Sequence, residues 1–198
     1  MKVKICGLSR PADIEAVNQF QPDYVGFIIN FPKSHRNCTP EQVQTLHAQL
    51  SDSIPAVGVT VNQPLETVAA LLEQGVIDIA QLHGQEDEAY IGELKRRTGK
   101  PVWKAFRIRS ADDLDAARAS SADMILLDNG YGTGETFDWT LVRDIGRPFI
   151  LAGGLCESNI SDAAKMHPDA MDISSGVETN RVKDPEKIRT LIERIRSI

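Results

Sequence analysis

Apolar residues along this chain alternate between two spacings. Short, nearly continuous apolar runs rich in β-branched residues predict strands at Val3–Gly7, Tyr24–Ile29, Ala56–Val61, Ile79–His83, Val102–Arg107, Met124–Asp128, Phe149–Ala152 and Met171–Ser174. Runs of this kind suit strands buried on both faces of a parallel sheet. Between them apolar positions recur every three or four residues, and most of these stretches open on a helix start signal. Pro11 precedes ADIEAVNQF; Thr39 is placed to cap and Pro40 to start EQVQTLHAQL; Pro64 precedes LETVAALLEQ; Asp87 opens a run through Lys95. Ser110 precedes ADDLDAARA with Asp113 in capping-box position, Asp138 precedes WTLVRDI, Glu157-Ser158 precedes NISDAAKM, and Asp184-Pro185 opens EKIRTLIERIRSI. Strict strand–helix alternation implies parallel strands with right-handed crossovers. Eight such units favour an α/β architecture closed into a single (β/α)8 TIM barrel over residues 1–198, with short loops. An open doubly wound sheet is the alternative.

Composition narrows the function classes. The chain has 198 residues, 41% hydrophobic and 25% charged, with a formal net charge of -6. That balance speaks against nucleic acid, whose phosphates need a basic face. No apolar run approaches the roughly 20 residues of a membrane helix, and MKVKICGLSR lacks a signal-peptide core. The expectation is a cytoplasmic protein with a small-molecule substrate and no nucleic-acid or membrane partner, either monomer or homodimer. Cys6, Cys38 and Cys156 are an odd, widely spaced set, without CxxC or HxxxH pairs; neither a disulfide framework nor a structural zinc site is expected.

In a βα barrel, chemistry sits at the C-terminal strand ends. Read in order, those ends carry Cys6-Gly7, the loop with Lys33, His35 and Arg36, then Asn62, His83-Gly84, Arg107, Asp128-Asn129, Gly153-Gly154 and Ser174-Ser175-Gly176. Loops after strands seven and eight commonly bind phosphate, and Gly153, Gly154, Ser175 and Gly176 stand there, where backbone N–H groups can approach an anion. Gly130–Gly134 is a third glycine-rich stretch, which could equally be a tight turn. Cys6 shares a strand face with Lys4, a cation that could raise its thiolate fraction and make it a base; buried packing is the other reading. Asp128 follows four apolar residues, an expensive place for a carboxyl without a role, although an N-cap or a loop-ordering acceptor is open. Arg36 can hold a carboxylate or phosphate bidentately, or be a solvated loop charge. His83 is a base or a satisfied strand-end histidine. Lys104, mid-strand, could form a Schiff base or pair with a carboxylate.

These segments resemble phosphoribosylanthranilate isomerases. The matches are Lys4-Ile-Cys-Gly7, Val25-Gly-Phe27, Lys33-Ser-His-Arg36, Val57-Gly-Val59, Gln81-Leu-His-Gly84, Leu127-Asp128, the run Gly132 to Trp139, Leu151-Ala-Gly-Gly-Leu155 and Asp172-Ile-Ser-Ser-Gly-Val-Glu178, in family order over essentially the whole chain. The resemblance implies an Amadori rearrangement of an aminoaldose phosphate in tryptophan biosynthesis, with no metal or organic cofactor. It implies Asp128 as general acid, Cys6 as general base, Arg36 on the anthranilate carboxylate, and Gly153, Gly154, Ser175 and Gly176 as phosphate cradle. His83 and Gly84 would line the pocket. Two positions depart from the pattern: Thr179–Asp184 lacks a glycine before Lys183, and Asn129 follows the acid where small residues are commoner. Competing readings are a Schiff-base aldolase using Lys104 and a non-catalytic phosphosugar-binding barrel; the histidine-pathway isomerase differs in carrying Asp where this chain has Cys6.

Overall fold

Eight parallel strands close into a ring in the computed structural model, which describes residues 1–129, 136 and 138–198. They are β1 (Lys2–Cys6), β2 (Tyr24–Ile29), β3 (Ala56–Thr60), β4 (Ile79–Leu82), β5 (Val102–Arg107), β6 (Met124–Asp128), β7 (Phe149–Leu151) and β8 (Ala170–Ile173). Each pairs with its successor, and β1 pairs with both β2 and β8, which excludes the open sheet. A two-residue strand, Asn37–Cys38, extends the sheet beside β2. Every predicted strand lies within one residue of its observed bounds. Among the described residues, no helix is long and apolar enough to cross a membrane, and no three His, Cys, Asp or Glu side chains converge as a metal site requires.

The helices are α1 (Pro11–Phe20), α2 (Pro40–His47), α3 (Leu65–Glu73), α4 (Glu88–Thr98), α5 (Asp113–Ala119), α6 (Ile160–Ala164) and α7 (Pro185–Arg196). Their starts follow local chemistry. Thr39 Oγ1 accepts from Gln42 N while Gln42 reaches back to Thr39 N, and Pro40 takes the first helical position. Asp184 caps α7 through Glu186 N and Lys187 N, and α7 buries Ile188, Leu191, Ile192 and Ile195, one stripe at helical spacing. The sixth unit departs from expectation. WTLVRDI is only a 3₁₀ turn at Trp139–Val142: Asp138 caps Thr140 N, but successive bonds run i→i−3 and Gly146 at φ +76° ends the segment. Ser110 opens α5 later than predicted, because the Asp113 carboxylate accepts from Arg109 N and Ser110 N and holds the segment before it in a turn.

Alternation along the strands separates two cores. Val3, Ile5, Val25, Phe27, Val102, Ile125, Leu127, Leu151, Met171 and Ile173 face the helices. Val57, Ile79, Trp103, Ala105, Leu126, Ile150, Ala152 and Ala170 fill the lumen, floored by an edge-to-face contact of Tyr24 and Trp103, ring centroids 5.0 Å apart. Period two then sends Lys4 and Cys6, Gly26, Gln81 and His83, Arg107, Asp128, and Asp172 and Ser174 to the lumen side at successive strand ends. Lys104 lies between Trp103 and Ala105 and therefore faces outward, away from the lumen, contrary to the Schiff-base alternative.

On the opposite face, His47 at the end of α2 bonds Val76 O through Nδ1 at 3.0 Å, with Nε2 3.4 Å from Asp78 Oδ2. Its pairing with Asp78 raises the His47 pKa above the usual value, and the same pairing lowers that of Asp78. The raised histidine stabilises the fold fully below about pH 6.5, and this contribution is lost as pH climbs through its folded pKa. The lowered carboxylate contributes above its unfolded pKa and fails only on acidification. The Tm deficit of His47→Gln relative to wild type is therefore expected to be largest near about pH 5.5–6 and to shrink by about pH 8; a pH-independent deficit would contradict the pairing.

Candidate active site

Cys6 ends β1 with its side chain buried. Two residues back on the same face, fully buried Lys4 makes a 2.9 Å ion pair with Asp172, its register partner on β8. A buried ammonium requires such a partner. Gly26 is the register partner of Cys6 on β2, and a Cβ there would fall 2.6 Å from Cys6 Sγ and 3.1 Å from Lys4 Nζ. That glycine is the space in which thiol and ammonium meet. Lys4 favours the thiolate, as a neighbouring cation should, but it does not prevail. Burial pushes the Cys6 thiol above its ordinary pKa and the Asp172 carboxylate adds to this; Lys4 and Lys183 oppose without reversing it. At neutral pH Cys6 rests as a thiol.

Asp128 ends β6 and is buried. Its Oδ2 lies 3.7 Å from His83 Nε2, at the end of β4. Burial lowers the His83 pKa more than Asp128 and Asp172 raise it, so the imidazole is neutral at pH 7. Gln81 Nε2 stands 3.3 Å from His83 Nδ1; with the amide so oriented, Nδ1 accepts and Nε2 carries the proton toward Asp128. On the other flank, Gly153 has φ +88°, and a Cβ there would lie 2.6 Å from Asp128 Oδ1. Below this loop, outward-facing Lys104 donates to Gly84 O at 2.7 Å and to Glu86 Oε2 at 3.1 Å. Glu86 also accepts from Asn62 N and Gly84 N, so one buried ion pair pins the loop that carries His83. Arg107, next to Asp128 in register, donates to Asn129 O at 2.9 Å.

Arg36 crosses directly over Gly7: a Cβ on Gly7, which has φ +80°, would collide with Arg36 Cδ. Its guanidinium binds a carboxylate bidentately, as expected of the residue type, but the carboxylate is Glu178: Nε to Oε1 at 2.6 Å and Nη2 to Oε2 at 2.8 Å. Lys183 Nζ donates to the same Oε1 at 2.7 Å and to Ser174 O at 2.9 Å. Burial would raise the Glu178 pKa, yet hydrogen bonds from Arg36 and Lys183 hold it at about 2. Glu178–Thr179 and Val182–Lys183 form a two-residue hairpin. Its turn residues Asn180 and Arg181 take φ +52° and +64°, so the atypical Thr179–Asp184 segment reaches its turn without glycine.

The two glycine loops touch. A Cβ on Gly176 would collide with Leu155 O, so the loop after β8 lies against the loop after β7. Asn159 pins the latter, donating to Gly154 O and accepting from Cys156 N, both at 2.9 Å. The N–H groups of Gly153, Gly154 and Ser175 meet no acceptor among the described residues. The adjoining helical pieces, α6 and the 3₁₀ turn Ser175–Val177, are short, so an anion held here would meet loop amides rather than a helix dipole. The Gly130–Gly134 stretch lies outside the described residues. Of the run Gly132 to Trp139, only Thr136, Asp138 and Trp139 lie within them.

Cys6, Asp128, His83, Arg36 and the two glycine loops thus meet at one end of the barrel. Reading the sequence for function left Asp172, Gln81, Glu86, Asn159, Glu178 and Lys183 without roles. Asp172 had a visible signal, since a carboxylate between Met171 and Ile173 mirrors Lys4 between Val3 and Ile5. Partners such as Glu178 and Arg36 are joined only by the closing of the ring.

The geometry agrees with comparison to known proteins. A family model for N-(5'phosphoribosyl)anthranilate (PRA) isomerase matches residues 3–194. The chain is 42% identical over 206 residues to the N-(5'-phosphoribosyl)anthranilate isomerase of Thermoanaerobacter pseudethanolicus and 44% identical over 202 residues to that of Clostridium kluyveri; each alignment covers 100% of this chain and 99% of the relative. Among solved structures, phosphoribosyl anthranilate isomerase from Thermotoga maritima superposes with a TM-score of 0.90 at 32% identity, covering 100% of both chains. A phosphoribosyl anthranilate isomerase in complex with reduced 1-(o-carboxyphenylamino)-1-deoxyribulose 5-phosphate gives 0.87 at 31%, again over 100% of both. With sequence and barrel agreeing over the full length, the chain belongs to the phosphoribosylanthranilate isomerase family.

Proposed function

We propose that this enzyme converts N-(5-phosphoribosyl)anthranilate to 1-(2-carboxyphenylamino)-1-deoxyribulose 5-phosphate, a step of tryptophan biosynthesis, with Asp128 as general acid and Cys6 as general base. The observation that carries the reading is the placement of a carboxyl and a thiol at strand ends of one barrel mouth, beside two glycine loops and a guanidinium. The substrate offers a phosphate for Gly153, Gly154, Ser175 and Gly176 and a ring carboxylate for Arg36. Holding both ends suspends the ribose between acid and base. His83 and Gly84 line the wall beside Asp128.

Asp128 gives its proton to the ribose ring oxygen as the C1–O bond breaks and the anilinic nitrogen lone pair forms C1=N. The fraction of enzyme whose Cys6 is already a thiolate, the minor form at neutral pH, takes the C2 proton; the C–H pair forms C1=C2 as the C1=N pair moves onto nitrogen, giving an enolamine. Protonation at C1 and loss of the C2 hydroxyl proton yield the ketone, so C2 is oxidised and C1 reduced within one molecule. A base held high in pKa is strong once ionised, and the cationic iminium favours its ionisation when the proton must leave. Turnover of freshly generated phosphoribosylanthranilate, followed by loss of anthranilate fluorescence, tests the reading. Consumption at enzymatic rates is expected; a purified, folded protein that leaves the spontaneous rate unchanged refutes it.

A further inference from the structure

Among the described residues, Glu178 makes the closest contacts of any carboxylate to Arg36, yet the acid–base chemistry does not use it. Its side chain is 7% exposed and that of Arg36 14%. It occupies only one edge of the guanidinium, Nε and Nη2. Nη1 makes no hydrogen bond to any described residue. Arg36 is meanwhile wedged over Gly7, one residue beyond Cys6. Lys183 anchors Glu178 from behind and is tied to Ser174 O, while Ser174 Oγ donates to Cys6 O at 3.1 Å. A continuous hydrogen-bonded path thus joins the guanidinium to the backbone of the β1 end. The charges also count: Arg36 and Lys183 against Glu178 leave one positive charge, which matches one incoming carboxylate. His35 Nε2, 3.7 Å from Glu178 Oε2, adds none at neutral pH, because burial and Arg36 lower its pKa.

We propose that Glu178 is a positioning residue for Arg36. It takes the Nε–Nη2 edge, orients the guanidinium over Gly7, and leaves the Nη1 end to receive the substrate carboxylate; Lys183 holds Glu178 in place. The proposal rests on the reading that Arg36 meets that carboxylate. A planar fork has two usable edges, and a second carboxylate on the occupied edge would repel the first. Without Glu178, two adjacent buried cations face each other and the fork loses its orientation.

The test compares two ligands, reduced 1-(o-carboxyphenylamino)-1-deoxyribulose 5-phosphate and the same molecule without the ring carboxylate, by calorimetry with wild type, Glu178→Gln, Arg36→Ala and the double variant. Wild type prefers the carboxylate-bearing ligand. Glu178→Gln is expected to lose roughly tenfold of that preference, to bind the carboxylate-free ligand about as wild type does, and to raise KM more than it lowers kcat. The double variant is expected to match Arg36→Ala. If Arg36→Ala keeps the full preference, the reading of Arg36 fails. If Arg36→Ala loses it and Glu178→Gln does not, only the role of Glu178 fails. Tighter binding of the carboxylate-bearing ligand by Glu178→Gln would make Glu178 a competitor, and loss of both ligands would make it a scaffold residue; either result overturns the proposal.

Discussion

Replacing Asp128 by Asn is expected to lower kcat/KM by on the order of 10³-fold, about 4 kcal/mol of transition-state stabilisation. The substitution keeps shape, so the space opposite Gly153 still fits the side chain. It removes the one acidic proton that the ring oxygen would receive. His83 cannot take over as a strong acid, because burial keeps its imidazole neutral at pH 7. Binding of the reduced product analogue should change by less than about threefold, since only the transition state uses that proton. Steady-state turnover by anthranilate fluorescence, paired with calorimetry, separates the two effects. An Asp128→Asn variant retaining a tenth or more of wild-type kcat/KM would remove Asp128 from the acid role.

The second large effect falls on Cys6. Cys6→Ala should cost roughly 10²–10⁴-fold in kcat and leave analogue affinity nearly intact. The pH profile gives an independent reading. Because burial and Asp172 hold the thiol above its ordinary range, the ultraviolet absorbance of the Cys6 thiolate, read as wild type minus Cys6→Ala, should still be rising above about pH 8.5. A thiolate fully formed by neutral pH would contradict the raised thiol.

Strand positions were legible because burial on both faces forces apolar runs, and such runs survive any detail of tertiary packing. Cys6 and Asp128 stood out as candidates for a related reason: each interrupts or ends such a run at the C-terminal strand ends. The 3₁₀ turn at Trp139–Val142 was not, because a helical spacing of apolar residues does not distinguish seven residues that propagate a helix from seven that turn once and stop at Gly146. Nor was the net effect of Lys4 on Cys6. Period two places the ammonium near the thiol, but the cost of desolvating the thiolate depends on Asp172, Gly26 and the closed ring around them. Glu178 lies 142 positions from Arg36, and no local pattern couples residues so far apart.

Gly153 belongs to two neighbourhoods at once. Its amide lines the proposed phosphate cradle, and its missing side chain is the wall against which Asp128 rests. In most barrels of this kind one βα loop can be lengthened or redesigned while its neighbours keep their chemistry. Here such freedom is curtailed: any remodelling of the strand-seven loop also shifts the wall against which Asp128, the proposed proton donor on strand six, rests. New specificity in this scaffold is therefore easier to reach from the loops after strands two to five, whereas the proposed grip on the sugar phosphate and the proposed ring opening would change together.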